Sequence, residues 1–443
     1  MTTVAKRTTI ALLGTYGFGN LGDGAIQHAA IQNIRKYCPD VEVVGISLNP
    51  DDTEKRYKIR AFAITRPAEW QDVDPNKTLL GRLSVFLRQH PNRWVRKLER
   101  LLVRLPWEIV LLVQAFRDLS QVDHVFGTGG GQLVDIWGGP FTHPYIMLKW
   151  SLLARLRGKR VAFVSMGAGP VHASLSRRFI RWALRLANYR SYRDQGAKDF
   201  LNGIGFRNDD PVYPDLAFSI QVERKTARPP AAQRTVAISP MAFRHPSFWP
   251  EQDEAFYHAY LEKLADFAAW LIAKEYQIVW FSTSVGNDEY AIADLQAKLT
   301  QRGVSLDGGA VRDASTQTVD EVLETVASVD AVVATRFHGV LLSMLVGTPA
   351  MAVAYHPKTE HLMADGGLAN YCFSIEDFDV AEMKARFAEL EQERDAIQTR
   401  MAQHVARSAA QLHEQYLRIF DQFGIGYEPK QSELRARAES TAS

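Results

Sequence analysis

Short β-branched or apolar runs alternate with helical patterns along most of this chain, and that alternation restricts the possible folds more than any other feature. Residues 9–13 (Thr-Ile-Ala-Leu-Leu) read as a strand, 23–36 as a helix and 41–46 as a second strand. Strands follow at 124–126, 161–165 and 212–213, separated by helices at 145–156 and 176–187. Parallel strands need a long crossover, usually a helix, so the pattern predicts βαβ units. It pauses over 223–234, a polar stretch holding Pro229 and Pro230 that reads as a linker. It then resumes with strands at 235–239, 278–282, 331–334 and 350–354 and helices at 254–274, 289–300, 318–328 and 339–345. The expectation is an α/β protein with two doubly wound halves. The domains expected are 1–222, 235–374, a helical region over 375–428 and a frayed polar tail at 429–443.

The first expected domain carries an insertion over about 80–120. Within it, Trp94, Leu98, Leu101, Leu102 and Leu105 share one helical face, and Arg93, Arg96, Lys97, Arg100 and Arg104 share the other. A basic amphipathic helix of this kind either packs on its own domain or makes a peripheral contact with an anionic membrane. A net charge of +2 does not call for nucleic acid. The two cysteines, Cys38 and Cys372, fit no metal spacing. Neither a secretory leader pattern nor an apolar run of spanning length is present. A reduced cytoplasmic protein is expected, with the inner face of the membrane as the alternative location.

Three glycine-rich loops follow strands of the first half. Gly14, Gly17, Gly19 and Gly22 lie in a segment that ends on Asp23 and opens a helix; Gly127, Gly129, Gly130 and Gly131 form the second cluster; Gly167 and Gly169 form the third. Glycine lets backbone amides approach a ligand closely, and a helix N-terminus favours anions. The spacing matches neither the dinucleotide G-x-G-x-x-G nor a P-loop. In open parallel sheets, ligands bind beyond the carboxyl ends of strands, where these loops sit.

A second constellation lies in the other half. The strand at 331–334 runs into Thr335-Arg336-Phe337-His338-Gly339, and in extended chain Arg336 and His338 point the same way. Arginine matches carboxylate or phosphate with two donors, and histidine moves protons near neutral pH. Tyr355-His356-Pro357-Lys358 follows the strand at 350–354, and Arg244 follows that at 235–239. Residues 190–194 (Arg-Ser-Tyr-Arg-Asp) read as another cationic turn.

Taken in order, these pieces resemble the polysaccharide pyruvyl transferase family. They are the turn over 17–23 with Asn20 and Asp23, the 129–131 glycines, Gly158-Lys159-Arg160 leading to 167–170, Tyr192-Arg193-Asp194, Pro214-Asp215, Arg336-Phe337-His338 and Tyr355-His356-Pro357-Lys358. Family members often carry Leu where Phe337 stands and Asp where His356 stands. The resemblance implies two Rossmann-like domains facing across a cleft, similar to GT-B glycosyltransferases. It also implies phosphoenolpyruvate as co-substrate, a sugar acceptor, often lipid-linked, and neither a cofactor nor a metal. The expected activity places a pyruvate ketal on two hydroxyls of a sugar, releasing phosphate, in polysaccharide or cell-surface glycan biosynthesis. His338 is then the expected general acid, or a donor to the departing phosphate, and Asp23 the acceptor of the hydroxyl proton. Arg193, Arg336, Lys358 and Arg244 are the expected anion ligands. Gly19, Asn20, Gly129, Gly130 and Gly131 are expected to line the acceptor side. A GT-B-like nucleotide-sugar glycosyltransferase and a non-catalytic glycan-binding relative are the alternatives.

Overall fold

In a computed structural model, the structure describes residues 7–17, 19–65, 90, 105–222, 234–247, 249, 251–306 and 309–427. The expected linker at 223–234, apart from Arg234, the basic face at 93–104 and the tail at 429–443 lie outside the described residues. The chain divides into two compact units. The first comprises Met1–Phe18, Ile34–Val212 and Arg418–Ser443; the second comprises Gly19–Asn33 and Tyr213–Leu417.

The first unit is built on a six-stranded sheet of β1 (Thr9–Leu13), β2 (Glu42–Ser47), β3 (Ala61–Ala63), β4 (His124–Thr128), β5 (Arg160–Met166) and β6 (Tyr189–Tyr192). Every pairing is parallel and the order is β3-β2-β1-β4-β5-β6. All five residues of β1 are buried, as expected of a central strand covered on both faces. Helices α2 (Pro50–Tyr57), α3 (Leu105–Asp118), α4 (His143–Leu156), α5 (Ser174–Leu186) and α6 (Gln195–Gly203) belong to this unit, and α1 (Leu21–Tyr37) ends in it. One core cluster joins Ala115 of α3, Met147 and Trp150 of α4, and Ile180 and Leu184 of α5 to Leu13, Val125 and Phe163 of the sheet. Burying each large apolar side chain contributes roughly 1.5–3 kcal/mol. The Trp150 indole adds a polar tie, donating from Nε1 to the Ile64 carbonyl at 2.8 Å.

The second unit repeats the design. Its strands are β7 (Thr235–Ser239), β8 (Gln277–Trp280), β9 (Val311–Asp313), β10 (Ala331–Ala334), β11 (Ala350–Ala354) and β12 (Cys372–Ser374). They pair in parallel in the order β12-β11-β10-β7-β8-β9. Helices α7 (Glu254–Ala273), α8 (Asp288–Gln301), α9 (Val319–Ala327), α10 (Phe337–Val346), α11 (Pro357–Asp365), α12 (Val380–Gln392) and most of α13 (Arg394–Phe423) complete it. Sequence signals set several helix starts. Thr318 accepts from the Glu321 amide while Glu321 accepts from the Thr318 amide, a capping box at α9.

In both units the strand order reverses at one point, between β1 and β4 in the first and between β7 and β10 in the second. In doubly wound sheets ligands bind beyond the carboxyl ends of strands at that point.

Two local expectations are corrected. Residues 212–213 form no strand; Val212 makes one isolated bridge to Tyr192. The supposed cationic turn at 190–194 is mostly strand β6, because Tyr189, Ser191 and Tyr192 bury inward and only Arg193 and Asp194 leave the sheet. The three-residue strands β3, β9 and β12 were missed because each is too short to show a period.

Candidate active site

In the second unit, Arg336 sits at the end of β10 as the residue preceding α10, with extended backbone (φ −82°, ψ 138°). Its Nε donates to Asp288 Oδ2 at 2.5 Å and its Nη2 to Asp288 Oδ1 at 2.8 Å. The Asp288 side chain has no solvent exposure and that of Arg336 has 18%. Burial works against the guanidinium charge, but the Asp288 carboxylate outweighs it and holds the pKa above the ordinary arginine value. The third nitrogen, Nη1, lies outside this pair.

His338 departs from the extended-chain expectation. The helix begins at Phe337, two residues earlier than the sequence reading placed it, so His338 lies in the first turn and the alternation stops at Arg336. The two side chains consequently go to different partners. His338 Nε2 lies 3.6 Å from Asp215 Oδ1, with the imidazole 13% and the carboxylate 2% exposed. That nitrogen is buried and makes no hydrogen bond. Asp215 also caps the following short helix, accepting from the Ala217 amide at 3.0 Å.

The glycine turn supplies the other wall of the histidine. A Cβ on Gly22 would stand 2.2 Å from His338 Nδ1, so only glycine fits there without displacing the ring. Asn20 Oδ1 accepts from the amides of Gly22 (3.0 Å) and Asp23 (3.3 Å), capping α1, and its Nδ2 donates to Asp23 Oδ2 at 2.9 Å. The strip ahead of α1 is held by antiparallel bonds: Leu21 N to Thr283 O at 2.9 Å and Val285 N to Gly19 O at 2.8 Å. Gly19 has φ +70°, and a Cβ there would meet the Val285 carbonyl at 2.5 Å. Gly19, Asn20 and Asp23 therefore belong with His338, whereas Gly14 and Gly17 belong to the first unit.

Past β11, Tyr355 lies beside two cations. Burial raises its phenol pKa, but Lys358 and then Arg336 outweigh that, and the net shift is downward. The Lys358 ammonium lies 5.6 Å from the Tyr355 ring centre and 5.7 Å from that of Phe337. His356 does the work of a helix cap: its Nδ1 accepts from the Lys358 amide at 3.2 Å. An aspartate at this position would accept the same bond, which explains why the chain tolerates histidine there. Arg244, in left-handed backbone at φ +58°, pairs with Glu376 at 3.2 Å and lies 4.5 Å from the Phe256 ring centre. Phe243 links this corner to Tyr355, their rings 5.5 Å apart.

The first unit holds the remaining predicted residues. Arg193 follows β6, its Nε donating to Asp194 Oδ2 at 3.2 Å, with the side chain 9% exposed. It lies over Gly167, where a Cβ would meet its Nη2 at 2.8 Å and the Gly130 carbonyl at 2.9 Å. The two glycine loops are bonded together, Gly167 N to Gly130 O at 2.9 Å. Gly129 and Gly130 have positive φ, while Gly131 faces open space. Beside them, Tyr16 donates to the Thr128 carbonyl at 2.7 Å, and His143 Nε2 lies 3.2 Å from Thr15 Oγ1. Burial pulls the His143 pKa down to about 4, so the ring is neutral at pH 7. Asp135 receives the amides of His172 and Ala173, both at 2.9 Å; these outweigh burial and keep its carboxyl below the usual range.

Asp215, Asp288, Tyr355, Tyr16 and His143 escaped assignment as site residues. Asp215 and Tyr355 lie inside motifs that the sequence shows, but nothing in their spacing indicates which side chain they meet. Asp288 carried no signal beyond its place at a helix start, where an acid is favoured in any case. Among the described residues, no three of His, Cys, Asp and Glu converge as a metal site. Burial raises both cysteine thiols to about 12, which leaves them un-ionised and poorly nucleophilic at pH 7.

Two parallel sheets of Rossmann order, the second with Arg336 and His338 beyond the end of β10 at its switch point, define a doubly wound α/β protein. The family model for polysaccharide pyruvyl transferases matches residues 20–357, and the chain belongs to that family. The amylovoran biosynthesis protein AmsJ of Erwinia amylovora is 23% identical over 396 residues, spanning 83% of this chain and 88% of that protein. The fold is similar to that of the UDP-GlcNAc 2-epimerase of Neisseria meningitidis bound to UDP-GlcNAc, with a TM-score of 0.51, 11% identity, and coverage of 93% of this chain and 100% of the other. It is also similar to an α,α-trehalose-phosphate synthase (UDP-forming) of Burkholderia vietnamiensis, with a TM-score of 0.52, 10% identity, and coverage of 94% and 99%. These structures share the GT-B-like architecture. At such identities the likeness is one of fold.

Proposed function

We propose that the protein transfers the pyruvyl carbons of phosphoenolpyruvate onto two hydroxyls of a sugar, forming a ketal. The observation that carries this reading is the grouping of Arg336, Tyr355 and Lys358 at the strand ends next to the switch point of the second sheet. In this reading Arg336 Nη1 and the Lys358 ammonium hold the carboxylate and phosphate of the donor, and Arg244 is an outer phosphate contact.

His338 supplies the proton. Protonation at C3 turns the enol carbon C2 electrophilic, and a sugar hydroxyl adds to C2. The phosphate ester bond then breaks and phosphate leaves, and the neighbouring hydroxyl closes the ring. One hydroxyl proton replaces the one delivered to C3 and the other departs with phosphate, so the site must both give and accept. Asp215, 3.6 Å from His338 Nε2, orients the ring. Asp23, hydrogen-bonded to Asn20 in the first turn of α1, accepts the hydroxyl proton. We assign Arg193 and the glycines at 129–131, which the first unit groups together, to the sugar acceptor.

Ligand-induced stabilisation tests the donor assignment. Phosphoenolpyruvate should raise the melting temperature of the full chain, Arg336→Ala and Lys358→Ala should abolish the rise, and UDP-GlcNAc should have no effect. Stabilisation by UDP-GlcNAc alone would replace this reading with a nucleotide-sugar enzyme.

A further inference from the structure

We propose that the outer surface of α3, α4 and α5 in the first unit seats on an anionic lipid bilayer. The three helices form one layer. Their inner residues, among them Ala115, Met147 and Leu184, share a single core cluster with the sheet, so their opposite faces look outward together. On that outward side α3 exposes Ile109, Val110, Val113 and Phe116, α4 exposes Leu152 and Leu156, and α5 exposes Trp182. A file of rings extends this surface, from the exposed Phe141 to Phe179 at 6.1 Å and on to Trp182 at 6.3 Å. Exposed apolar side chains gathered on one face mark an interaction surface, whereas scattered ones do not.

The charge on the same helices identifies the occupant. Arg117, Arg155, Arg177, Arg178 and Arg185 are exposed among these apolar residues. Helix α5 (Ser-Leu-Ser-Arg-Arg-Phe-Ile-Arg-Trp-Ala-Leu-Arg-Leu) has four arginines and no acid. The acid of α3 nearest its start, Glu108, is taken up by Lys149 at 3.1 Å and the Tyr145 hydroxyl at 2.8 Å. A second copy meeting this face through a twofold axis would set arginine against arginine. A protein partner's buried core would exclude charges of this density. A bilayer with anionic headgroups accepts both features, with apolar side chains and tryptophan at the headgroup level and arginines reaching phosphates. Among the described residues no helix is long and apolar enough to cross a membrane, so the contact is peripheral.

The test is sedimentation of the full chain with vesicles rich in phosphatidylglycerol and, separately, with vesicles of phosphatidylcholine alone. The expected result is salt-sensitive binding to the first and little to the second. Both Arg178→Glu/Arg185→Glu and Val113→Ser/Trp182→Ala should lower binding about tenfold or more. Both variants should keep the wild-type circular dichroism and molecular mass. Three results would overturn the proposal: no binding to phosphatidylglycerol, wild-type binding by both variants, or a dimer of the wild type that the variants dissociate. A fourth is loss of binding only on reversing Arg93, Arg96 and Arg100. The outcome does not depend on which reaction the protein catalyses.

Discussion

Asp288 holds Arg336 through two parallel bonds, at 2.5 and 2.8 Å, from a carboxylate sealed completely from solvent. The pair fixes the guanidinium at the mouth of β10 and keeps it charged. Removing one partner strands a buried charge. Asp288→Ala is expected to cost about 3–5 kcal/mol of stability. Urea denaturation measures it, and a loss below 1 kcal/mol would show that the pair does not brace the unit. Arg336→Lys should also fail to restore phosphoenolpyruvate binding, because lysine lacks the planar fork.

His338 faces Asp215 with a buried nitrogen that makes no hydrogen bond. His338→Ala is expected to lower phosphate release from phosphoenolpyruvate by roughly 10²–10⁴-fold with melting little changed. Turnover near the wild-type rate in a phosphate-release assay would remove its role as acid.

Gly22 tests the same ring from the other side. The Cβ of Gly22→Ala would lie 2.2 Å from His338 Nδ1 and must push the imidazole away, whereas that of Gly203→Ala, at the end of α6, enters open space. The first substitution should reduce phosphate release nearly as much as loss of the histidine, and the second should leave it unchanged. Equal effects in steady-state assays would disprove the close approach.

The cap on α11 gives a prediction about stability alone. His356 Nδ1 accepts from the Lys358 amide. His356→Ala should cost about 0.5–2 kcal/mol, while His356→Asp should restore the bond and the stability. Chemical denaturation of the two variants compares them directly.

Burial holds both His124 and His143 at a pKa of about 4, against 6.5 for an ordinary histidine. Between those values the unfolded chain binds more protons than the folded one, so stability rises with pH. The contribution is complete above about pH 6.5 and is lost progressively as pH falls toward 4. Urea midpoints should therefore drop on acidification, and His143→Gln should flatten the dependence. An unaltered slope in that variant would mean that His143 is not buried neutral.

What the sequence alone determined is the arrangement of elements and the chemical types at their ends. Alternating apolar runs and helical faces specify βαβ units because burial patterns repeat within a few residues, which is why β1, β4, β7, β10 and β11 were legible. Arg336, His338 and Lys358 were visible as cations and a proton carrier just past strand ends. Tertiary structure alone decided who meets whom. Asp288 reaches Arg336 across 48 residues, Asp215 approaches His338 across more than a hundred, and the turn bearing Gly19 and Asn20 joins the unit of the distant residues 213–417. Such contacts depend on how strands order themselves in a sheet, and the periodicity of a strand carries no record of its neighbour.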